Sequence, residues 1–227
     1  MILLLLALAP GLAIGLYIYW RDQHEKEPLG LLLKCFFLGA ATCIPAAIAE
    51  SFFFDRYGFD LDADMNLTTA FLAAFLIVGF FEELGKYLVL ILFAYRKPAF
   101  NEPFDGIIYA VMISLGFATF ENLFYVLSGG MEVAIARMFT AVPMHAAFGI
   151  FMGYYVGKAK FEKSALESIT RLKGLVIAIC LHGAYDFLLF QNESMLLTFS
   201  VLPLIIASYV YCNKAISIHA NASPFKE

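Results

Sequence analysis

Charge is what this sequence has least of. Only 15% of its 227 residues are Asp, Glu, Lys or Arg, while 62% are hydrophobic. A soluble domain averages about 25% charged and about 45–50% apolar residues. No connection between the apolar runs is long enough to hold a soluble domain. There is no Lys/Arg stripe and no basic aromatic face, and the net charge is −4, which excludes nucleic acid as a partner. Cysteine is scarce: Cys35, Cys43, Cys180 and Cys212 form no CxxC pair, so neither a disulfide framework nor a zinc knuckle is expected. They read as small apolar packing residues. Tryptophan occurs once, at Trp20, and reads as an interface anchor. The HExxH signature of many zinc peptidases is absent.

What the chain has in abundance is apolar runs, rich in Phe, separated by short charged punctuation. Each is near the ~20 residues that cross ~30 Å of hydrocarbon. The pattern predicts an all-α, polytopic bundle in a single membrane domain over 1–227, with seven spans near 2–20, 29–53, 68–95, 106–127, 136–157, 174–191 and 196–212. The first run has no Lys or Arg before Leu3, and Ala7-Leu8-Ala9 is followed by Pro10, a poor cleavage context. A retained first span is expected rather than a cleaved signal.

Basic residues set the orientation. Arg21, Lys26, Arg96, Lys97, Lys158, Lys160, Lys163, Arg171, Lys173, Lys214 and Lys226 fall on one side, and only Arg56 and Arg137 on the other. The N-terminus is expected outside and the C-terminus in the cytoplasm. Asp55, Asp60, Asp62 and Asp64 then lie in an outer loop.

Several ionisable residues fall where they are costly. A charge at mid-bilayer costs about 2.5–3.5 kcal/mol on insertion scales. The third span carries Glu82, Glu83 and Lys86; the fourth Glu121, followed by Asn122; the fifth His145; the sixth His182 and Asp186. Lys34 and Glu50 sit nearer span ends, where long side chains snorkel. Glu82 and Lys86 share a helix face at i,i+4. The neighbouring acid Glu83 opposes double ionisation, so one carboxylate could serve as base and the other as acid. His182 and Asp186 share the same spacing, which lets the acid orient the imidazole. Counting at 1.5 Å per residue places Glu82, Glu83, Glu121, His145 and His182 between mid-bilayer and the outer third, where they can converge on one outward-facing pocket. His145, Gly149, Gly153 and Gly157 recur every four residues, a stripe that lets helices approach closely. Gly11 and Gly15 form a similar pair in the first span.

Each feature has a bland reading. Glu82–Lys86 can be a packing ion pair, a lone intramembrane histidine a hydrogen-bonded core residue, and Asp186 an interfacial cap. Four neighbouring spans carrying such groups at matching depth point instead to chemistry.

These residues resemble the PrsW family of membrane proteases, relatives of the CAAX prenyl proteases. Glu82-Glu83-Leu84-Gly85-Lys86 fits EExxK. Phe117-Ala118-Thr119-Phe120-Glu121, with Asn122, fits FxxxE followed by Asn. His145 stands at the third motif and His182-Gly183-Ala184-Tyr185-Asp186 fits HxxxD. Ala9-Pro10-Gly11-Leu12, Trp20-Arg21-Asp22 and Glu27-Pro28 also look like that family, so the resemblance runs from about residue 9 to 212. It implies a protease of the cell membrane that makes the first, extracytoplasmic cut in a single-span anti-sigma factor, after which a second intramembrane cut releases a sigma factor into a stress response. The family's functional residues carry over to Glu82, Glu83 and His182, then to Glu121 and His145. The CAAX pattern departs here, with His in the second motif where this chain has Glu121.

Peptide hydrolysis needs an activated water, oxyanion stabilisation and an acid for the leaving amine. Glu82 or Glu83 is the candidate base. Lys86, Asn122 and Asp186 are candidate supporting groups, Asn122 as an oxyanion donor. His145 and His182, with Glu121, are candidate ligands for a divalent metal such as zinc; the CAAX resemblance implies instead a glutamate-activated water with no obligate metal. Two other readings stay open: a proton-coupled transporter, since Glu/His sets also relay protons, and a non-catalytic scaffold like the related subunit of the gamma-secretase complex.

Overall fold

The computed structural model describes residues 2–60, 65–162 and 165–226. Asp62, Asp64 and Lys163 of the charge argument lie outside the described residues. Helices account for nearly all of the rest, and no strand occurs among the described residues. The all-α expectation holds.

In order, the helices are α1 (Ile2–Arg21), α2 (Leu29–Tyr57), α3 (Leu67–Phe71), α4 (Gly79–Leu92), α5 (Pro103–Phe139), α6 (Ala141–Phe161), α7 (Glu167–Phe190), α8 (Met195–Phe199) and α9 (Val201–Asn221). Five runs are long and apolar enough to cross a membrane: α1, α2, the stretch Pro103–Phe161 that holds α5 and α6, α7, and Met195–Asn221. The outward surface of these helices is apolar. Leu5, Leu16, Phe37, Ile48, Ile169 and Ile206 are all exposed, whereas a water-soluble monomer rarely exposes large contiguous apolar patches. This is a membrane protein, and hydrocarbon is the solvent those faces suit.

The centre of the bundle is the first half of α5. Almost every residue from Phe104 to Thr119 is buried, on all sides of the helix, because α1, α2 and α6 enclose it. Its start is fixed by a capping box, in which Asp105 Oδ2 accepts the amides of Asn101 and Glu102 at 2.6 and 2.7 Å. The glycine stripe of α6 packs here. A Cβ on Gly153 would stand 2.2 Å from the Gly106 carbonyl oxygen, and one on Gly157 2.2 Å from that of Pro103. Only glycine permits such an approach, and His145 is carried inward on the same helix.

Two departures from the expected spans shape the site. The segment expected over 68–95 is interrupted: a π-helical turn, Leu72–Val78, joins α3 to α4, and the Gly79 amide bonds back to Ala74 O, five residues before it. The span expected to begin at 136 begins at Ala141 instead. Residues 131–139 belong to the tail of α5, which breaks at Gly130 with φ 74° and ψ −153°, a conformation that essentially only glycine adopts.

Candidate active site

Glu82 and Glu83 sit in the first two turns of α4, immediately after the π turn. A Cβ on Gly79 would stand 3.2 Å from the backbone nitrogen of Gly183, and one on Gly183 would strike Phe75. These two glycines therefore let α4 and the π turn lie directly against α7, next to His182. The acids meet the histidine because nothing larger than hydrogen separates the helices.

The side chains converge as expected. Lys86 Nζ donates to Glu83 Oε1 at 2.7 Å and to Glu82 Oε2 at 3.2 Å, and lies 3.1 Å from His145 Nδ1. It also lies 4.1 Å from the centre of the Phe117 ring. An ammonium has three donors and no acceptor, so Nδ1 of His145 accepts. Its Nε2–H then donates to Glu121 Oε2, 3.1 Å away. His182 Nδ1 lies 2.9 Å from Glu83 Oε1. Its Nε2 lies 3.2 Å from Asp186 Oδ2 and 3.8 Å from Glu82 Oε2. The Asp186 contact is a charge contact and not an aligned hydrogen bond. Both nitrogens of His182 thus face carboxylates, and the ring centroids of His145 and His182 are 5.1 Å apart. Glu82, Glu83, Lys86, His145 and His182 are all buried.

The two adjacent glutamates differ in access. Glu82 lines a cavity of about 1030 Å³, together with Glu121, His145, His182, Asp186 and Arg137. Glu83 is fully buried behind it, with Oε2 unpartnered. The cavity lies between α2 and the later part of α5, and its rim is apolar and exposed: Ile44, Ile48 and Phe52 on one side, Phe124 and Tyr125 on the other.

Asn122 does not face the cavity. Its Nδ2 donates to Ala7 O at 3.0 Å and its Oδ1 accepts from Arg137 Nε at 2.9 Å, so both ends of the amide are occupied by the fold. Two wall residues escaped the sequence reading. Arg137, counted there as an outer-loop charge, bonds Glu121. Glu50, assigned to snorkelling, lines the cavity with Oε1 occluded and unpartnered. The doublet Gly129-Gly130 was the one local signal that the chain turns back before Arg137.

Four residues, Glu82, Glu83, His145 and His182, each bring one ligand-type atom within 4.8 Å of the others. Two imidazoles and two carboxylates suit a divalent ion such as zinc, and Lys86 already stands as a positive charge bonded to three of the four. This group contains both histidines of the expected ligand set and takes the α4 glutamates in place of Glu121, whose carboxylate serves Arg137 and His145.

Residues 27–212 match the PrsW family, described as intramembrane metalloproteases. The chain belongs to the PrsW family. It is 40% identical over 187 residues to the Protease PrsW of Shouchella clausii, covering 82% of this chain and 83% of that one. Against Protease PrsW of Bacillus subtilis it is 37% identical over 184 residues, covering 80% of each, and against that of Geobacillus kaustophilus 37% over 185 residues, covering 82% and 78%. No solved structure matches the chain. Membership makes this chain a membrane-embedded peptidase.

Proposed function

We propose that this PrsW-family peptidase makes the first, extracytoplasmic cut in a single-span membrane protein of the anti-sigma type, with Glu82 as the general base. The observation that carries the reading is the unequal access of the glutamate pair: Glu82 reaches the cavity and Glu83 does not. An apolar rim leading to a polar floor suits a substrate that arrives through lipid and must present one peptide bond to water.

In this reading Glu82 takes a proton from water at the cavity floor. Lys86 holds both glutamates in place. Glu83 and Asp186 orient His182, whose Nε2 edge, between Glu82 and Asp186, passes a proton to the leaving amine. His145, whose Nδ1 accepts from Lys86, shares its one N–H, at Nε2, between Glu121 and the developing oxyanion. When bound, a divalent ion held by Glu82, Glu83, His145 and His182 would polarise the carbonyl and acidify water. The orientation with the N-terminus outside follows from the basic-residue bias and places the cavity toward the outer face.

The test is co-expression of a tagged single-span anti-sigma factor with wild type, Glu82→Gln or Glu83→Gln. Wild type should yield a shortened, membrane-retained product, and neither variant should. Cleavage persisting in Glu82→Gln would remove it as the base.

A further inference from the structure

Arg137 belongs to no recognised motif, yet it ends in the cavity wall. The break at Gly130 turns the tail of α5 back on itself, and Ala134 packs against Ala7 of α1 and Val126 to hold it there. Arg137 thereby returns to residues that lie four helical turns earlier on the same helix. Its Nη2 donates to Glu121 Oε2 at 2.5 Å, its Nε donates to Asn122 Oδ1, and the guanidinium carbon lies 4.0 Å from the centre of the Tyr125 ring. Glu121 Oε2 is also the atom that accepts from His145 Nε2. One carboxylate oxygen therefore stands between the guanidinium and the imidazole, and the row continues through Lys86 to Glu83 and His182.

We propose that Arg137 is a positioning residue of the peptidase: it fixes Glu121, and through Glu121 the orientation and tautomer of His145. The inference rests on the catalytic reading of His145 given above. The fork geometry is what the task requires. Glu121 and Asn122 are consecutive residues pointing to one guanidinium, and a planar fork serves both at once, whereas an ammonium offers a single point of charge. Without Arg137, the half-buried Glu121 carboxylate would keep His145 alone as partner and lose the charge that balances it. It would then be free to shift, and a misplacement of about 1 Å near the reacting atoms costs on the order of 10²-fold in rate.

The competing explanation is that Arg137 only pins the turned-back tail. Chemical rescue separates the two, because the side chain borders a cavity that a small cation can enter. Full-length enzyme in detergent is assayed on a single-span substrate that wild type cleaves. Arg137→Ala should lower kcat by on the order of 10²-fold with little change in KM, and Arg137→Lys should not restore it. Millimolar guanidinium should recover several-fold activity in Arg137→Ala and methylammonium should not. Guanidinium should do nothing for Arg137→Ala combined with Glu121→Gln. Wild-type kcat in Arg137→Ala overturns the proposal, as does a loss that guanidinium leaves untouched, which would mark a purely architectural role. Failure of the catalytic reading itself looks different: Glu83→Ala would then cleave normally whatever Arg137 does.

Discussion

The ammonium of Lys86 lies 3.1 Å from Nδ1 of His145 while also bonding Glu82 and Glu83. One buried cation therefore organises three of the groups that the proposed chemistry needs. Lys86→Met would leave adjacent carboxylates without their counter-charge. Removing one partner of a buried ion pair typically costs about 3–5 kcal/mol. The variant should melt well below wild type in detergent and cleave nothing. Adding Glu83→Gln should recover much of the thermal stability and none of the activity. An Lys86→Met protein as stable as wild type would show that the acids find other partners.

Glu82, Glu83 and His182 should behave as one unit. Each alanine variant should abolish cleavage, and the double variants should be no worse, since groups acting together are non-additive. A metal role makes a further demand: chelation should inactivate the purified enzyme and zinc should restore it. Cleavage that resists chelators would leave the glutamate mechanism standing without the ion.

The contact of Gly153 with the Gly106 carbonyl predicts a steep steric effect. Gly153→Leu should separate α6 from α5, move His145 and reduce cleavage severely, with a lower melting temperature. Leu at Gly30, which has nothing within 4 Å of its Cβ position, is the control and should be tolerated. Equal behaviour of the two variants would contradict the packing described.

Orientation is open to reporter fusions. Fusions after Glu162 and at the C-terminus should report cytoplasm, and one at Asp60 should report the outside. A cytoplasmic signal at Asp60 would invert the chain and the face to which the cavity belongs.

The connection between α1 and α2 predicts a pH effect. Burial raises Glu27 to about 10, with the charge and hydrogen bond of Asp105 adding to it, and burial raises Asp22 to about 6. Folded protein therefore holds the Glu27 proton that unfolded chain releases near the ordinary carboxyl value. Stability from this group is complete at acid pH and declines as pH rises from about 4.5 toward about 10. Melting temperature should fall between pH 6 and pH 9 in wild type, and fall less in Glu27→Gln. Parallel curves for the two proteins would show that Glu27 is ionised in the fold.

The convergence of Glu82, Glu83, His145, His182 and Glu121 was legible because charge in lipid is costly and depth can be counted along a helix. The glycine stripe of α6 was legible for a similar reason: close approach requires small residues at regular spacing. The π turn was not, since Leu72–Val78 is uniformly apolar and carries no local mark of a changed hydrogen-bond register. Arg137 was misread for a different reason. Its partners Glu121 and Asn122 lie across a reversal at Gly130, and a count of charges by loop assumes that a helix continues straight to its end. Glu50 was discounted by its position near a span end, which says nothing about the face it occupies.

The turn over Leu72–Val78 makes the site depend on a count. A π turn holds one residue more than an α-helical turn would need, so the helix after it is rotated by about 100° relative to an uninterrupted one. Glu82 and Glu83 look at α7 only because that extra residue is present upstream of them. Removing any single residue within the turn would allow ordinary helical bonding to close, and every side chain beyond it would swing to another face. Both acids would remain in the sequence, in the same motif and nearly the same depth, turned away from His182 and from the water that Glu82 is proposed to activate.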